Sequence, residues 1–266
     1  MKTTLLLTLG ITIASSGFSQ KNNDFTLVPK GNFTVKEGTT PKTISVDNFW
    51  MSNEITNKEF REFYNQIKNS PNDSISWIDI SRYKNDGTSK AKVISIAYSN
   101  LIDKLMVESA WKSVFGQGDY FTNPNYDNYP VVGVTWEGAR YYCIWRTKEE
   151  NKTNKGQNKA TKDYRLPTEY EWEYAMSYKD QASITPAKEL HKVNQGDRNK
   201  LGLLNLEGNV TEWTISSGSN EKLAPKVVKG SSWKNDSKAN QPELVLPNKG
   251  TDYIGFRVVC STIENE

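Results

Sequence analysis

The chain has 266 residues, 36 % hydrophobic and 11 % aromatic, with eight Trp and thirteen Tyr. That aromatic supply suits a buried core and excludes a disordered chain, and no internal period supports a solenoid. The 34 basic and 31 acidic side chains leave a net charge of +3, too small and too scattered for nucleic-acid binding, while one His and two Cys exclude a zinc site.

Lys2 precedes an apolar run from Leu5 to Ala14, and Ser15, Ser16, Gly17 and Ser19 follow it. This is the three-part plan of a secretory signal over 1–19, cut before Gln20 with Gly17 and Ser19 at −3 and −1. An uncleaved N-terminal anchor is the alternative, although the run is short for a bilayer span. The expectation is export, to the periplasm or the periphery of the outer membrane. In an oxidising compartment Cys143 and Cys260 have two fates. They form one disulfide, worth about 4–5 kcal/mol on the chain-entropy account of so long a loop, or they stay as two inert buried thiols.

Phe25 to Phe33, broken by Pro29-Lys30-Gly31, predicts strand, turn, strand, and Ile44 to Met51 predicts another strand. Thr56 and Glu59 fit a capping box, and Phe60, Phe63, Tyr64 and Ile67 give the helix that follows an apolar stripe, closed by a turn at Asn69 to Asp73. Residues 74–128 scatter Trp77, Ile94, Leu101, Leu105 and Trp111 without a sustained period, which predicts turns and short helices. Asn123, Asn125 and Asp127 imitate the start of an EF-hand loop, but its twelfth position is Val134, so that loop is rejected. Tyr129 to Val134 predicts a buried strand. Thr135 caps the next helix, with Glu137 in its first turn and Trp136, Ala139, Tyr142, Cys143 and Arg146 on one side. After a solvated loop from Glu149 to Asp163, Thr168 and Glu171 form a second capping box, with Trp172 and Ala175 inward. Ser177 to Asn199 is loop-like and places His191 at the surface, and Val227-Val228, Ser232-Trp233 and Ile254 to Val259 predict the closing strands. Glu169, Glu171 and Glu173 suit caps and ion pairs better than acid–base catalysis.

An ordered series of blocks runs through these elements. It comprises Phe49-Trp50-Met51, Glu54-Ile55-Thr56-Asn57, Tyr129 to Trp136, Tyr142 to Trp145, Arg165 to Glu169 and Glu171 to Ala175. It continues through Gly202-Leu203, Asn205 to Val210, Glu212-Trp213, Gly230 to Trp233 and Gly255-Phe256-Arg257. Across about residues 25–260 this series resembles the formylglycine-generating-enzyme, or sulfatase-modifying factor, domain family. The resemblance implies an irregular α+β fold related to C-type lectins, one domain over 20–266, with 68–128 as a subgroup-specific insertion. Trp145-Arg146-Thr147 and Tyr129-Pro130 further resemble gliding-motility lipoproteins J and K of type IX secretion, although this chain has no lipid-acceptor cysteine. That likeness implies envelope proteins as partners, secretion or motility components among them, and membrane association only through them.

The family's oxidases convert a substrate cysteine to formylglycine, and the resemblance implies two copper(I)-binding cysteines between the Gly-Ser-Ser-Trp and Gly-Phe-Arg blocks. Here that segment, Lys234 to Ile254, contains no Cys, His, Met or Arg. No catalytic residue is assigned, and neither copper nor iron is expected. The resemblance also implies a structural calcium on the side chains of Asn205 and Glu212 and the carbonyls of Gly208 and Val210. The same residues suit a Gly-Asn turn in which Asn205 bonds its own backbone. For Cys143 the family's partner position is Val258 here, with Cys260 two residues on and on the same strand face. Three functions follow as expectations: an inactive assembly module, a calcium-dependent glycan-binding module, or an enzyme with a carboxylate site.

Overall fold

A computed structural model describes residues 25–37, 40–79, 92–113, 119–152, 161–179, 189–219, 224–235 and 242–263. The signal expected at 1–19 lies outside these residues. Among the described residues no helix is long and apolar enough to cross a membrane.

Two four-stranded sheets frame the chain. The first joins β1 (Phe25–Val28), β4 (Phe49–Glu54), β12 (Arg257–Ile263) and β7 (Thr161–Arg165), all antiparallel. The second joins β10 (Glu243–Val245), β9 (Lys226–Lys229), β8 (Thr211–Ser217) and the short β11 (Ile254–Gly255), which runs parallel to β8. Two hairpins flank them: β2 (Gly31–Glu37) with β3 (Thr40–Val46), and β5 (Ser74–Asp79) with β6 (Lys92–Ala97). The helices are α1 (Asn57–Asn69), the single turn α2 (Ile102–Leu105), α3 (Trp136–Asn151) and α4 (Glu169–Ser177). Short strands and helices separated by long connections match the expected irregular α+β fold.

Both expected capping boxes are formed, each with its two reciprocal bonds: Thr56 with Glu59 on α1, and Thr168 with Glu171 on α4. Thr135 accepts from the Gly138 N–H and starts α3. Phe60, Phe63 and Ile67 are buried on α1, and Ala139, Tyr142 and Cys143 on α3, so the helical stripes point to one aromatic core. There Phe60, Phe63, Tyr142, Trp145 and Phe256 meet at ring-centroid distances of 5.4 to 6.0 Å. A second core lies under α4, where Trp172 and Ala175 pack with Val28, Met51 and Val259. Strand β12 separates the two, turning Val258 and Cys260 to the first core and Val259 to the second.

Three local expectations are corrected. Ile44 to Met51 is two strands, because the chain turns between Val46 and Phe49. Pro130 to Val134 is buried, with Tyr129 partly so, but the run forms only isolated bridges, Thr56 with Pro130 and Met106 with Val134, since Gly133 at φ +78 breaks the extended run. The stretch after residue 74 contains the β5–β6 hairpin, whose register pairs Trp77 with Ile94 and Ile78 with Val93. A connection of twelve residues hid that pairing, because hairpin patterns are legible mainly across short turns.

Candidate functional site

The Gly-Asn block folds against the junction of the two sheets. Asn205 and Asn209 both adopt φ +57, a left-handed conformation that asparagine tolerates better than most side chains. Their amide nitrogens donate to the two oxygens of Glu54 at the end of β4, at 2.8 and 2.9 Å. Arg257, opposite Glu54 in the β4–β12 register, is completely buried. It grips Glu212 of β8 through Nε and Nη2, both at 2.6 Å, and gives its remaining donors to the carbonyls of Ser52 and Leu204. Trp172 Nε1 completes the Glu212 carboxylate at 2.7 Å. A two-pronged ion pair thus ties the first sheet to the second, with α4 sealing it.

Two buried carboxylates share one guanidinium here. Burial raises the Glu54 carboxyl to about 8, with Arg257 opposing the rise and Glu212 adding to it. Burial works to lower the Arg257 pKa, yet the adjacent Glu212 carboxylate reverses that and holds the guanidinium more firmly charged than usual.

The four calcium ligands implied by the resemblance converge on this block, but their side chains have protein partners. Asn205 bonds Glu54 rather than its own backbone. Glu212, the single carboxylate of the set, is neutralised by Arg257. Gly208, at φ +124, and Val210 lie in the intervening turn. Calcium favours several hard, largely anionic oxygens, so this donor set, as placed, suits an ion pair rather than the metal. Among the described residues no group of three or more His, Cys, Asp or Glu side chains is arranged for a metal.

The described ends of the segment Lys234 to Ile254 are anchored by side-chain bonds. Trp233 donates from Nε1 to the Asp252 carbonyl at 3.1 Å, and Lys234 pairs with Asp252 at 2.5 Å. Tyr253, just before β11, donates from its hydroxyl to Glu243 Oε1 of β10 at 3.2 Å. Ser232 caps the local turn by accepting from Asn235 N–H at 3.1 Å.

Both cysteines are free and buried, Cys143 on α3 and Cys260 on β12 in the same core. Burial pushes the Cys260 thiol up to about 11 and the Cys143 thiol higher still, so both are poor nucleophiles at neutral pH. In this arrangement the two thiols are unbonded, and thiol titration decides between the disulfide and the inert-thiol readings. His191 is half-buried, its backbone N–H held by Asn209 Oδ1. Glu171 pairs with Arg165 and Glu173 with the buried Lys229, so these carboxylates serve caps and ion pairs. Trp172 and Trp213 are core residues, Trp111 is buried, and Trp77, Trp136 and Trp233 are partly buried against the core. Sequence reading missed the roles of Glu54 and Arg257. The signal was the pairing of buried-strand blocks with one acid and one base, which becomes informative only once the two blocks are known to be adjacent.

Residues 14–262 match the sulfatase-modifying factor enzyme 1-like domain family. The chain is 28 % identical over 261 residues to the Bos taurus protein named inactive C-alpha-formylglycine-generating enzyme 2, across 82 % of this chain and 77 % of that one. It is 25 % identical over 234 residues to the Mus musculus formylglycine-generating enzyme, across 70 % of this chain and 56 % of that one. Among solved structures, that of CarF superposes with a TM-score of 0.57 at 17 % identity, covering 89 % of this chain and 97 % of that one. PvdO from Pseudomonas aeruginosa gives 0.53 at 14 % identity, with 89 % and 94 % covered. These two likenesses concern the fold alone.

Proposed function

The chain belongs to the sulfatase-modifying factor enzyme 1-like domain family, and from that premise we propose that it is a non-catalytic member, exported and used for protein assembly in the cell envelope. One observation carries the reading. Residues 234–254 contain no Cys, His, Met or Arg, and the chain's two thiols are buried in the core on α3 and β12. Copper(I) chemistry needs soft ligands that face the substrate, and these thiols do not offer them. The scaffold around that segment is nevertheless intact, with its blocks joined by the Arg257–Glu212 pair. Relatives from Bos taurus and Mus musculus that carry the word inactive in their names support the same direction. Gliding motility or type IX secretion is the setting we propose, on the strength of the resemblance around Trp145-Arg146-Thr147.

A tagged pull-down of the full chain from native envelope, read by quantitative mass spectrometry, tests the assembly role. Stoichiometric recovery of secretion or motility components is expected. Recovery of nothing above background would overturn it. In parallel, incubation with a sulfatase-type cysteine peptide should leave the peptide mass unchanged, and the mass loss of aldehyde formation would overturn the non-catalytic reading.

A further inference from the structure

Arg140, half-buried on α3, is held against two indoles. Its guanidinium carbon lies 4.9 Å from the ring centroid of Trp77 on β5 and 5.9 Å from that of Trp136. From β9, Lys226 Nζ stands 4.3 Å over the same Trp136 ring. The four side chains form a ladder of alternating ring and cation. The rings are fixed from behind: Trp136 Nε1 donates to the Thr214 carbonyl at 2.8 Å, and Trp77 meets Tyr141 edge to face at 5.8 Å.

Among the described residues neither cation has a carboxylate partner, although Glu137 sits one turn before Arg140 on the same helix. Arg61, Arg146, Arg165 and Arg257 each face one. Lys226, only 9 % exposed, spends one donor on Ser217 Oγ at 2.5 Å, and Arg140 spends none on the described residues. Stacking engages the faces of a guanidinium and leaves its edge free, and that edge is a planar fork matched to a carboxylate. Burial, and secondarily the charge of Arg140, hold the Lys226 ammonium below the usual lysine range. Two like charges on one indole repel, and an anion at the edge of the ladder, close to the Arg140 guanidinium, would offset that repulsion in surroundings less polar than water. The backbone N–H of Trp136 donates to the Pro247 carbonyl at 3.0 Å, which fixes the start of α3 beneath the ladder.

We propose that Arg140, with Trp77, Trp136 and Lys226, is the anchor that receives an acidic side chain from an exposed segment of a protein partner. The choice of a protein as occupant rests on the assembly reading above. The site itself rests on the unspent fork and the preformed ring walls, which lower the ordering cost of binding.

Titration of the full chain with hexaglutamate, followed by calorimetry at low salt, tests the anchor, with hexaglutamine and inorganic sulfate as separate arms. Hexaglutamate should bind and hexaglutamine should not. Arg140→Ala should weaken hexaglutamate at least tenfold, and Arg140→Lys, which keeps the charge and loses the fork, by several-fold. Lys226→Gln is the second variant, with a smaller loss expected. Equal binding by wild type and Arg140→Ala, or no binding by wild type at millimolar peptide, would overturn the site. Sulfate binding more tightly than hexaglutamate would overturn the peptide occupant. The envelope pull-down repeated with Arg140→Ala separates the two readings. Undiminished partners would refute the anchor and leave the assembly role standing. Arg140-dependent peptide binding in a protein that captures no partner would keep the site and refute the assembly role.

Discussion

Replacing Arg257 by Met tests the account of the sheet junction most directly. Met preserves much of the apolar stem and removes the guanidinium. Glu212, with no exposed surface, then loses two charge-assisted bonds of 2.6 Å and keeps only Trp172 Nε1. The carbonyls of Ser52 and Leu204 lose donors at 3.0 and 2.9 Å. Breaking a buried ion pair by removing one partner costs about 3–5 kcal/mol, and a buried orphaned acceptor about 1–3. These losses overlap, so the expected destabilisation is roughly 5 kcal/mol, against a total stability on the order of 5–15. At about 2–4 °C per kcal/mol for a chain of this size, Tm should fall by roughly 10–20 °C. Urea unfolding followed by Trp fluorescence measures it. The double variant Glu212→Met with Arg257→Met removes both charges and should recover at least ~2 kcal/mol over Arg257→Met, because an apolar replacement of a buried pair is often close to neutral. A single variant within ~1 kcal/mol of wild type, or a double variant equal to the sum of its two singles, would refute the reasoning.

Gly250→Ala should be among the most destabilising single-methyl additions, because a Cβ there would lie 2.0 Å from the Gly133 carbonyl oxygen; a urea midpoint unchanged from wild type would contradict that contact. Arg165 and the Thr168 cap hold the Glu171 carboxyl below the usual 4.5, despite its burial. A depressed carboxyl stabilises the fold above its unfolded pKa, and that contribution is lost as pH falls below about 4.5 through the folded value. Glu171→Gln should therefore lower stability at pH 7 and flatten the acid side of the pH–stability curve, and a parallel curve would refute the assignment. Thiol titration should find neither Cys143 nor Cys260 reactive in the native protein and two thiols after unfolding without reductant; none after unfolding would establish the disulfide instead.

What the sequence made legible was local. Capping boxes at Thr56–Glu59 and Thr168–Glu171 are read from residues three apart, and both form as expected. The apolar stripe of α1 is likewise local and correct. The β5–β6 hairpin was illegible because its partners are separated by twelve residues and its outward face mixes Ser76 and Ser95 with Ile78 and Val93. The junction was illegible for a stronger reason. Glu54, Asn205, Glu212 and Arg257 lie up to 205 residues from their bonded partners, and no local pattern in the sequence pairs them. Only the fold shows that one guanidinium serves four acceptors across two sheets.

That arrangement separates the bonds that hold the two sheets together from residues 234–254, where the proposed non-catalytic reading finds no thiol. The ties that close the two sheets run from Arg257 to Glu212, Ser52 and Leu204, and among the described residues none of them uses a side chain between residues 234 and 254. The segment is fastened separately, by Trp233 and Lys234 to Asp252 and by the backbone crossing of Gly133 with Thr251. Cysteines in it would add chemistry but no structural bond on which the junction depends. The anchor at Arg140 is equally independent, since Trp77 comes from the β5–β6 hairpin and Lys226 from β9. The sheet junction, the segment 234–254 and the proposed recognition ladder occupy three separate sets of side chains. A change in one can therefore be measured without confounding the others: Arg257→Met should move Tm by about 10 °C or more, whereas Arg140→Ala, at a half-buried side chain with no hydrogen bond or ion pair to the described residues, should move binding and lower Tm by only about 2–4 °C, about 1 kcal/mol.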